Sequence, residues 1–138
     1  MKARIKYVVE DLFFIFGTLF AERIPSLYFI YDGKSYPIKT SFQGIKNKKE
    51  IEISINWKEE IKGLSHLFGE TNIISLYTSE WNTSNVTTMK FMFSNCKFLT
   101  YLPEISKWNT SKVTDMAFLF WNCHSLRYID ILNGIFLM

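Results

Sequence analysis

The chain has 138 residues, 48% of them hydrophobic and 21% charged, so it is long enough for one domain with a buried core and too apolar for an intrinsically disordered protein. Its net charge of +3 is too small to indicate a nucleic-acid-binding protein, which usually has a concentrated basic face. The sequence lacks a run of about 18 uncharged apolar residues, so we predict no transmembrane segment. Aromatic residues are unusually frequent, at 17%.

The N-terminal part, residues 1–60, predicts a small antiparallel β cap. Asp32 and Gly33 lie between two runs rich in apolar and aromatic residues, which is the pattern of a hairpin with a two-residue turn. Pro37 places the second hairpin arm at a sheet edge. The alternation of Ile51, Ile53, Ile55 and Trp57 predicts a further strand with one face in the core.

The stretch from Leu12 to Phe20 has some features of a signal peptide, because it is apolar and follows a basic N-terminus. Glu10 and Asp11 interrupt the sequence before it, and Glu22 and Arg23 follow it where small residues would be expected. We expect an apolar strand of the folded domain here instead. This slightly favours an intracellular location, with the cell surface or secretion as the alternative.

Residues 81–107 and 108–134 form an internal repeat, with 13 of 27 positions identical when the two segments are aligned without gaps. Composition alone would give roughly one or two identities. A third and degenerate copy covers residues 61–80 and keeps only the apolar pattern. The repeat explains the aromatic excess, because the same positions are counted twice: Phe91 and Phe118, Phe93 and Phe120, Trp81 and Trp108, Tyr101 and Tyr128.

The first part of each repeat predicts a short helix. Val86, Met89, Met92, Phe93 and Cys96 have the spacing of one helical face. The small polar residues of the preceding WNTS motif suit a turn and a helix start, because their side chains bond free backbone donors.

The second part of each repeat predicts a short strand, since residues 126–131 have the LxxLxL pattern of leucine-rich repeats. One unit cannot bury its own apolar face, whereas stacked units can. We therefore predict an α+β fold, a short leucine-rich-repeat-like α/β solenoid of about three repeats (residues 61–138) behind the β cap. The sequence after residue 134 has no clear C-terminal cap, so self-association through the last layer is also expected.

The segment WNTSNVTTMKFMFSNCKFLTYLPEISKWNTSKVTDM closely resembles the BspA-type surface-protein repeat, a relative of the leucine-rich repeats. The match is specific over residues 81–126 and weak over residues 61–80. The resemblance implies a curved solenoid used for protein–protein contact or surface adhesion, with no catalytic residues. Three repeats would be a very short array, so a truncated array without independent function is an alternative.

The sequence indicates no catalytic, metal or cofactor site, and we expect a protein that is not an enzyme. His66 and His124 lie at non-equivalent repeat positions, and neither has a recurring carboxylate or hydroxyl beside it. Cys96 and Cys123 recur in adjacent repeats, either as buried thiols or as a disulfide if their Cα atoms lie within about 7 Å.

Two further sets of recurring residues have two interpretations each. Asn82, Asn85 and Asn109 each begin an Asn-x-Ser/Thr sequence, which serves turn formation or, in a secreted protein, glycosylation. Trp81 and Trp108 recur with the repeat, which favours packing between layers over a ligand cage.

The outward positions of the predicted strands are the candidate interaction surface: Tyr101, Pro103, Tyr128 and Asp130. Neighbouring exposed tyrosines favour a protein contact, since tyrosine is enriched at interfaces. Simple stacking between strands is the alternative. We expect a non-enzymatic protein–protein interaction module with a protein partner and no nucleic-acid ligand, and the alternative is a secreted or cell-surface adhesin of the same fold.

Overall fold

A computed structural model describes residues 2–8, 16–21, 28–37, 50–56, 60–78, 81–102 and 104–129. Within these ranges the protein is mostly β, with one seven-stranded mixed sheet in the order β3-β2-β4-β1-β5-β6-β7. The strands are β1 (Lys2–Val8), β2 (Tyr28–Tyr31), β3 (Lys34–Pro37), β4 (Glu50–Asn56), β5 (Ile73–Tyr77), β6 (Tyr101–Leu102) and β7 (Tyr128–Ile129). A four-residue helix α1 (Thr18–Ala21) and a 3₁₀ helix (Ile105–Lys107) are also present.

The four strands β3, β2, β4 and β1 pair antiparallel. The predicted hairpin is confirmed, because β2 and β3 pair around Asp32 (φ 49°) and Gly33 (φ 70°), whose positive φ angles the two-residue turn requires. Pro37 lies on the edge strand β3, as predicted. Ile53 and Ile55 of β4 are buried, as their alternation predicted, whereas Trp57 lies outside the described residues.

This antiparallel part and the repeats share one sheet, because β1 pairs with β4 on one side and with β5 on the other. The expected strand between Leu12 and Phe20 is wrong for the part that the structure describes, since Thr18–Ala21 form α1. Phe16 and Phe20 are buried, and the Phe16 ring stacks on Phe68 with 5.9 Å between centroids. The Gly17 N–H donates to the Leu67 carbonyl at 2.9 Å.

The repeats stack as three layers: the first (residues 60–78), the second (81–102 and 104–107) and the third (108–129). Each layer contributes one short strand at the predicted place, and β5, β6 and β7 run parallel in the order of the chain. A second line of parallel bridges joins Gly63 to Thr88 and Thr88 to Asp115. Successive layers are therefore aligned at two places, the parallel strands and these bridges.

The predicted helix in each repeat is wrong. Residues 86–96 form overlapping turns, in which Met92, Ser94 and Cys96 each donate to the carbonyl three residues earlier. Phe91 (φ 55°) and Asn95 (φ 59°) have positive φ, which an α-helix excludes. The fold is a mostly β mixed open sheet with stacked turns, and the α+β class with an α/β solenoid is overturned by this geometry.

Alternate backbone N–H groups in these turns point out of their layer and join it to the next. Leu64, His66, Phe68 and Glu70 donate to carbonyls of the second layer over 2.8–3.1 Å. Their second-layer equivalents donate in the same way to carbonyls of the third layer: Met89, Phe91, Phe93 and Asn95. The hydrogen bonds that a helix would form internally are thus made between layers.

Equivalent aromatic side chains stack through the core. The Phe93 ring lies 5.5 Å from both Phe68 and Phe120, and Trp81 lies 5.6 Å from Trp108. Stacked rings of this kind add about 0.5–1.5 kcal/mol per pair to the hydrophobic burial. The repeating aromatic positions of the sequence are therefore columns that run through the layers.

Candidate functional site

Tyr101 and Tyr128 form an exposed aromatic pair on neighbouring parallel strands. They face each other directly in the β6–β7 register, and their ring centroids are 5.3 Å apart at an interplanar angle of 29°. Their exposed fractions are 38% and 53%, whereas the next residue of β6, Leu102, is buried. The strand therefore turns the tyrosines outward and the leucine into the core, as the period of two requires.

Pro103 and Asp130, the other two residues of the predicted interaction surface, lie outside the described residues. The structure therefore brings together Tyr101 and Tyr128 from the predicted set.

The tyrosine pair is part of a larger outer face of the sheet. The pairing registers place Glu52, Lys6, Ser75, Tyr101 and Tyr128 in one row that crosses β4, β1, β5, β6 and β7. Among them Ser75 alone is buried, and the others are exposed or half-buried. Lys6 also forms a salt bridge with Glu50.

Tyr77 and Arg4 extend this outer face. Tyr77 is two residues beyond Ser75 on β5 and 40% exposed, and the Arg4 guanidinium carbon lies 5.6 Å from the centre of its ring. Such a cation–π contact contributes about 0.5–1 kcal/mol at an exposed site. We call Arg4, Tyr77, Tyr101 and Tyr128 together the tyrosine face.

Cys96 and Cys123 are free thiols at equivalent positions. Each Sγ donates to a phenylalanine carbonyl of the preceding layer at 2.9 Å, Cys96 to Phe68 and Cys123 to Phe93. Burial raises the pKa of the Cys96 thiol well above its ordinary value, because the thiolate would lose its hydration. Of the two interpretations of these cysteines, the structure therefore has the free thiols and not the disulfide.

The asparagines that begin two of the Asn-x-Ser sequences form turns. The side-chain oxygen of Asn82 accepts from the Ser84 N–H at 3.1 Å, and that of Asn109 accepts from the Ser111 N–H at 3.0 Å. Both bonds are Asx turns, in which the side chain replaces a backbone acceptor. The WNTS motif therefore begins each layer with a turn.

The model of the family described as "Mycoplasma protein of unknown function, DUF285" matches residues 37–131. The chain belongs to the DUF285 family. Neither the search of curated proteins nor the search of solved structures gives a match.

In this DUF285 protein, the described residues include no group of three or more His, Cys, Asp or Glu side chains arranged to hold a metal ion. His66 stacks on Phe91 with 5.1 Å between ring centroids, so it continues an aromatic column. Over the described ranges, no helix is long and apolar enough to cross a membrane.

The sequence did not single out Tyr77 and Arg4 as members of the face. Tyr77 belongs to the degenerate first copy, where Ser75 and not a tyrosine is the register partner of Tyr101. Arg4 comes from β1, a strand that pairs with residues far away in sequence. The alternation of charged Arg4 and Lys6 with buried Ile5 and Tyr7 is the signal that could have identified this strand.

Proposed function

We propose that this DUF285 protein is a non-enzymatic interaction module that binds a protein partner through the tyrosine face. The observation that carries the proposal is the exposed Tyr101–Tyr128 pair. Tyrosine combines a large apolar ring with a hydroxyl that can hydrogen-bond, so it contributes strongly to protein interfaces.

The charge on the face supports a particular kind of partner. Arg4 is exposed and lies beside Tyr77 on this face. An acidic or amide-rich partner surface would match the Arg4 guanidinium group beside the three tyrosine rings, since Arg donates in a fork that suits carboxylates.

The competing explanation is that the two tyrosines serve only to join β6 to β7. A ring stack of this type contributes about 0.5–1.5 kcal/mol to stability. The two explanations differ in their prediction for binding, because a purely structural pair would change the free energy of unfolding and leave partner affinity unchanged.

The test uses proteins captured from the source cells on immobilised wild-type chain and then purified one at a time for affinity measurement. With one such partner, the double variant Y101A/Y128A should bind about tenfold or more weakly, since two interface tyrosines would lose about 1.4 kcal/mol or more together. Circular dichroism and thermal unfolding of the free variant show that it remains folded.

The matched control is Trp121→Ala, because Trp121 is also 53% exposed but belongs to the turns of the third layer and not to its strand. Its affinity for the partner should equal that of the wild type. Equal affinity of the wild type and Y101A/Y128A for every captured partner would refute the proposal.

A second candidate function is that of a cell-surface adhesin, which the BspA-type resemblance implies for the same interaction module. It is supported by the recurring WNTS-x-V-T-x-M motif. A membrane-impermeant amine reagent should then modify the exposed lysines on intact source cells, Lys62, Lys97 and Lys112 among them. Modification only after lysis would contradict a surface location.

A further inference from the structure

A polar groove lies where the first two layers differ in length. Thr71 of the first layer and Cys96 of the second layer occupy equivalent positions and lie in contact. The next contact along these two layers is the hydrogen bond that the Thr100 N–H donates to the Ile74 carbonyl. Two residues separate Thr71 from Ile74, whereas three separate Cys96 from Thr100. The second layer therefore has one more residue than the first between these two contacts. A groove of about 520 Å³ lies at this place.

Two stacked amides line the groove. Asn122 Nδ2 donates to Asn95 Oδ1 at 2.7 Å, and both side chains are half-buried. Each amide can form about four hydrogen bonds, so this contact leaves donors on both nitrogens and acceptors on both oxygens. The groove wall therefore offers donors and acceptors in alternation.

The charged groups of the groove are balanced. Glu70 and Lys97 both line it, both are exposed, and together they give no net charge. A free anion would meet the Glu70 carboxylate, and a free cation would meet the Lys97 ammonium. The groove thus favours an uncharged ligand with several hydrogen-bonding groups.

The apolar group of the groove is Phe98, which is half-buried. Together with the two amides it suits a ligand that has an apolar face and a polar edge. A pyranose ring has both, because its C–H groups can pack on an aromatic ring while its hydroxyls donate and accept at the edge. The volume lies within the usual range of about 300–1,000 Å³ for ligand sites.

The geometry points to a saccharide-binding site in this groove, with Asn95 and Asn122 bonding the hydroxyls of one sugar unit and Phe98 contacting its apolar face. The site is independent of the tyrosine face, since the two sets share no residue. Glu70 and Lys97 add hydrogen bonds at the rim.

The main competitor is a zwitterionic amino acid, whose carboxylate would meet Lys97 and whose ammonium would meet Glu70. Exposed ion pairs contribute only about 0–1 kcal/mol each, so these two contacts are weak. The half-buried amides are better shielded from water, and their directional bonds suit hydroxyls. The saccharide is therefore the ligand we favour.

The experiment records ¹H–¹⁵N spectra of the wild-type chain during titration with cellobiose, maltose, lactose and N,N′-diacetylchitobiose, each up to 20 mM. At least one disaccharide should shift the side-chain amide signals of Asn95 and Asn122 in a saturable way. Glycine and phenylalanine, titrated in the same manner, test the zwitterion.

Two variants test the groove. Asn122→Asp keeps the size of the side chain and tolerates the positive φ of 61°, but it removes the amide donor. Phe98→Ala removes the ring. Either change should weaken disaccharide binding about fivefold or more, while Asn109→Asp, the same substitution at another corner of the same layer, should leave it unchanged.

Three outcomes would overturn the site. One is that none of the four disaccharides shifts the two amide signals by 20 mM, and another is that binding is equal in the wild type, N122D and F98A. The third is saturable binding of an amino acid where no disaccharide binds. A dispersed spectrum of each variant establishes that it is folded.

Discussion

Phe91 and Phe118 have backbone conformations that their residue type does not reveal. Their φ angles are 55° and 58°, a region that bulky residues rarely occupy. Asn95 and Asn122 have the same kind of conformation at the other recurring position, and asparagine tolerates it well. The recurring asparagines were therefore compatible with turns on the basis of sequence. The phenylalanines gave no indication of a positive φ angle, so the sequence pattern still favoured a helix.

The two cysteines should differ in reactivity because the layers differ in burial. Cys96 is fully buried and Cys123 is half-buried. Iodoacetamide reacts with the thiolate, and the raised pKa of Cys96 keeps its thiol protonated at neutral pH and for some way above the ordinary thiol range. In the native protein at pH 7.5, Cys123 should be alkylated well before Cys96.

Mass spectrometry of peptides after timed alkylation measures this order directly. Unfolding in urea should make the two rates equal, which serves as the control. Native alkylation of both cysteines at one rate would contradict the burial of Cys96.

At the scale of the elements, the spacing of apolar residues in the repeats predicted correctly which side chains pack together in the core. It predicted the backbone conformation only in part. Spacings of three suit a helix, but they equally suit overlapping turns closed by bonds between residues three apart. The difference lies in where alternate N–H groups point, and only the neighbouring layer decides that. The hairpin at Asp32 and Gly33 was predictable because its turn geometry is local.

Equivalent phenylalanines in successive layers should differ in their contribution to stability. Phe93 is fully buried between Phe68 and Phe120, whereas Phe120 in the third layer is only half-buried. Phe93→Ala should therefore lower the free energy of unfolding by about 3–5 kcal/mol. Phe120→Ala should lower it clearly less, because water already reaches part of the Phe120 ring.

Urea unfolding of the two variants measures the difference under the same conditions. The variants are matched controls for each other, because both remove the same atoms from the same repeat position. Equal losses would show that the third layer is as well covered as the second.

At the scale of the whole molecule, the sheet joins segments that are distant in sequence. β1 lies between β4 and β5, and its position follows from pairings with residues about fifty and seventy positions away. No local pattern identifies such partners, so the sequence did not predict that strands of residues 1–60 and strands of the repeats pair in one sheet. The candidate tyrosine pair was predictable because its two residues are repeat equivalents.

The attachment of Phe16–Ala21 to the first layer depends on Gly17. A Cβ atom at this position would lie 1.9 Å from the His66 carbonyl oxygen, which belongs to the backbone and cannot easily move. Gly17→Ala should therefore lower the free energy of unfolding by about 1–3 kcal/mol or more. Gly63→Ala is the control, because its Cβ would meet only the Thr88 methyl group at 3.3 Å.

Thermal unfolding of both glycine variants tests this contact. Gly63→Ala should remain close to the wild type. A Gly17→Ala variant as stable as Gly63→Ala would mean that residues 16–21 do not lie against the first layer.

The hydrogen bonds between layers give the stack a polarity. From Leu64 to Glu70, and from Met89 to Asn95, the donors belong to the earlier layer, whereas the N–H groups at two other places donate back from the later layer: Thr87 and Thr114, and Thr100 and Arg127. The hydrogen-bonding groups on the two sides of a layer are therefore complementary to each other. A duplicate of residues 81–107 inserted after Lys107 would find acceptors for its donors on one side and donors for its acceptors on the other. A chain lengthened by one whole repeat should therefore keep the backbone hydrogen bonds between layers.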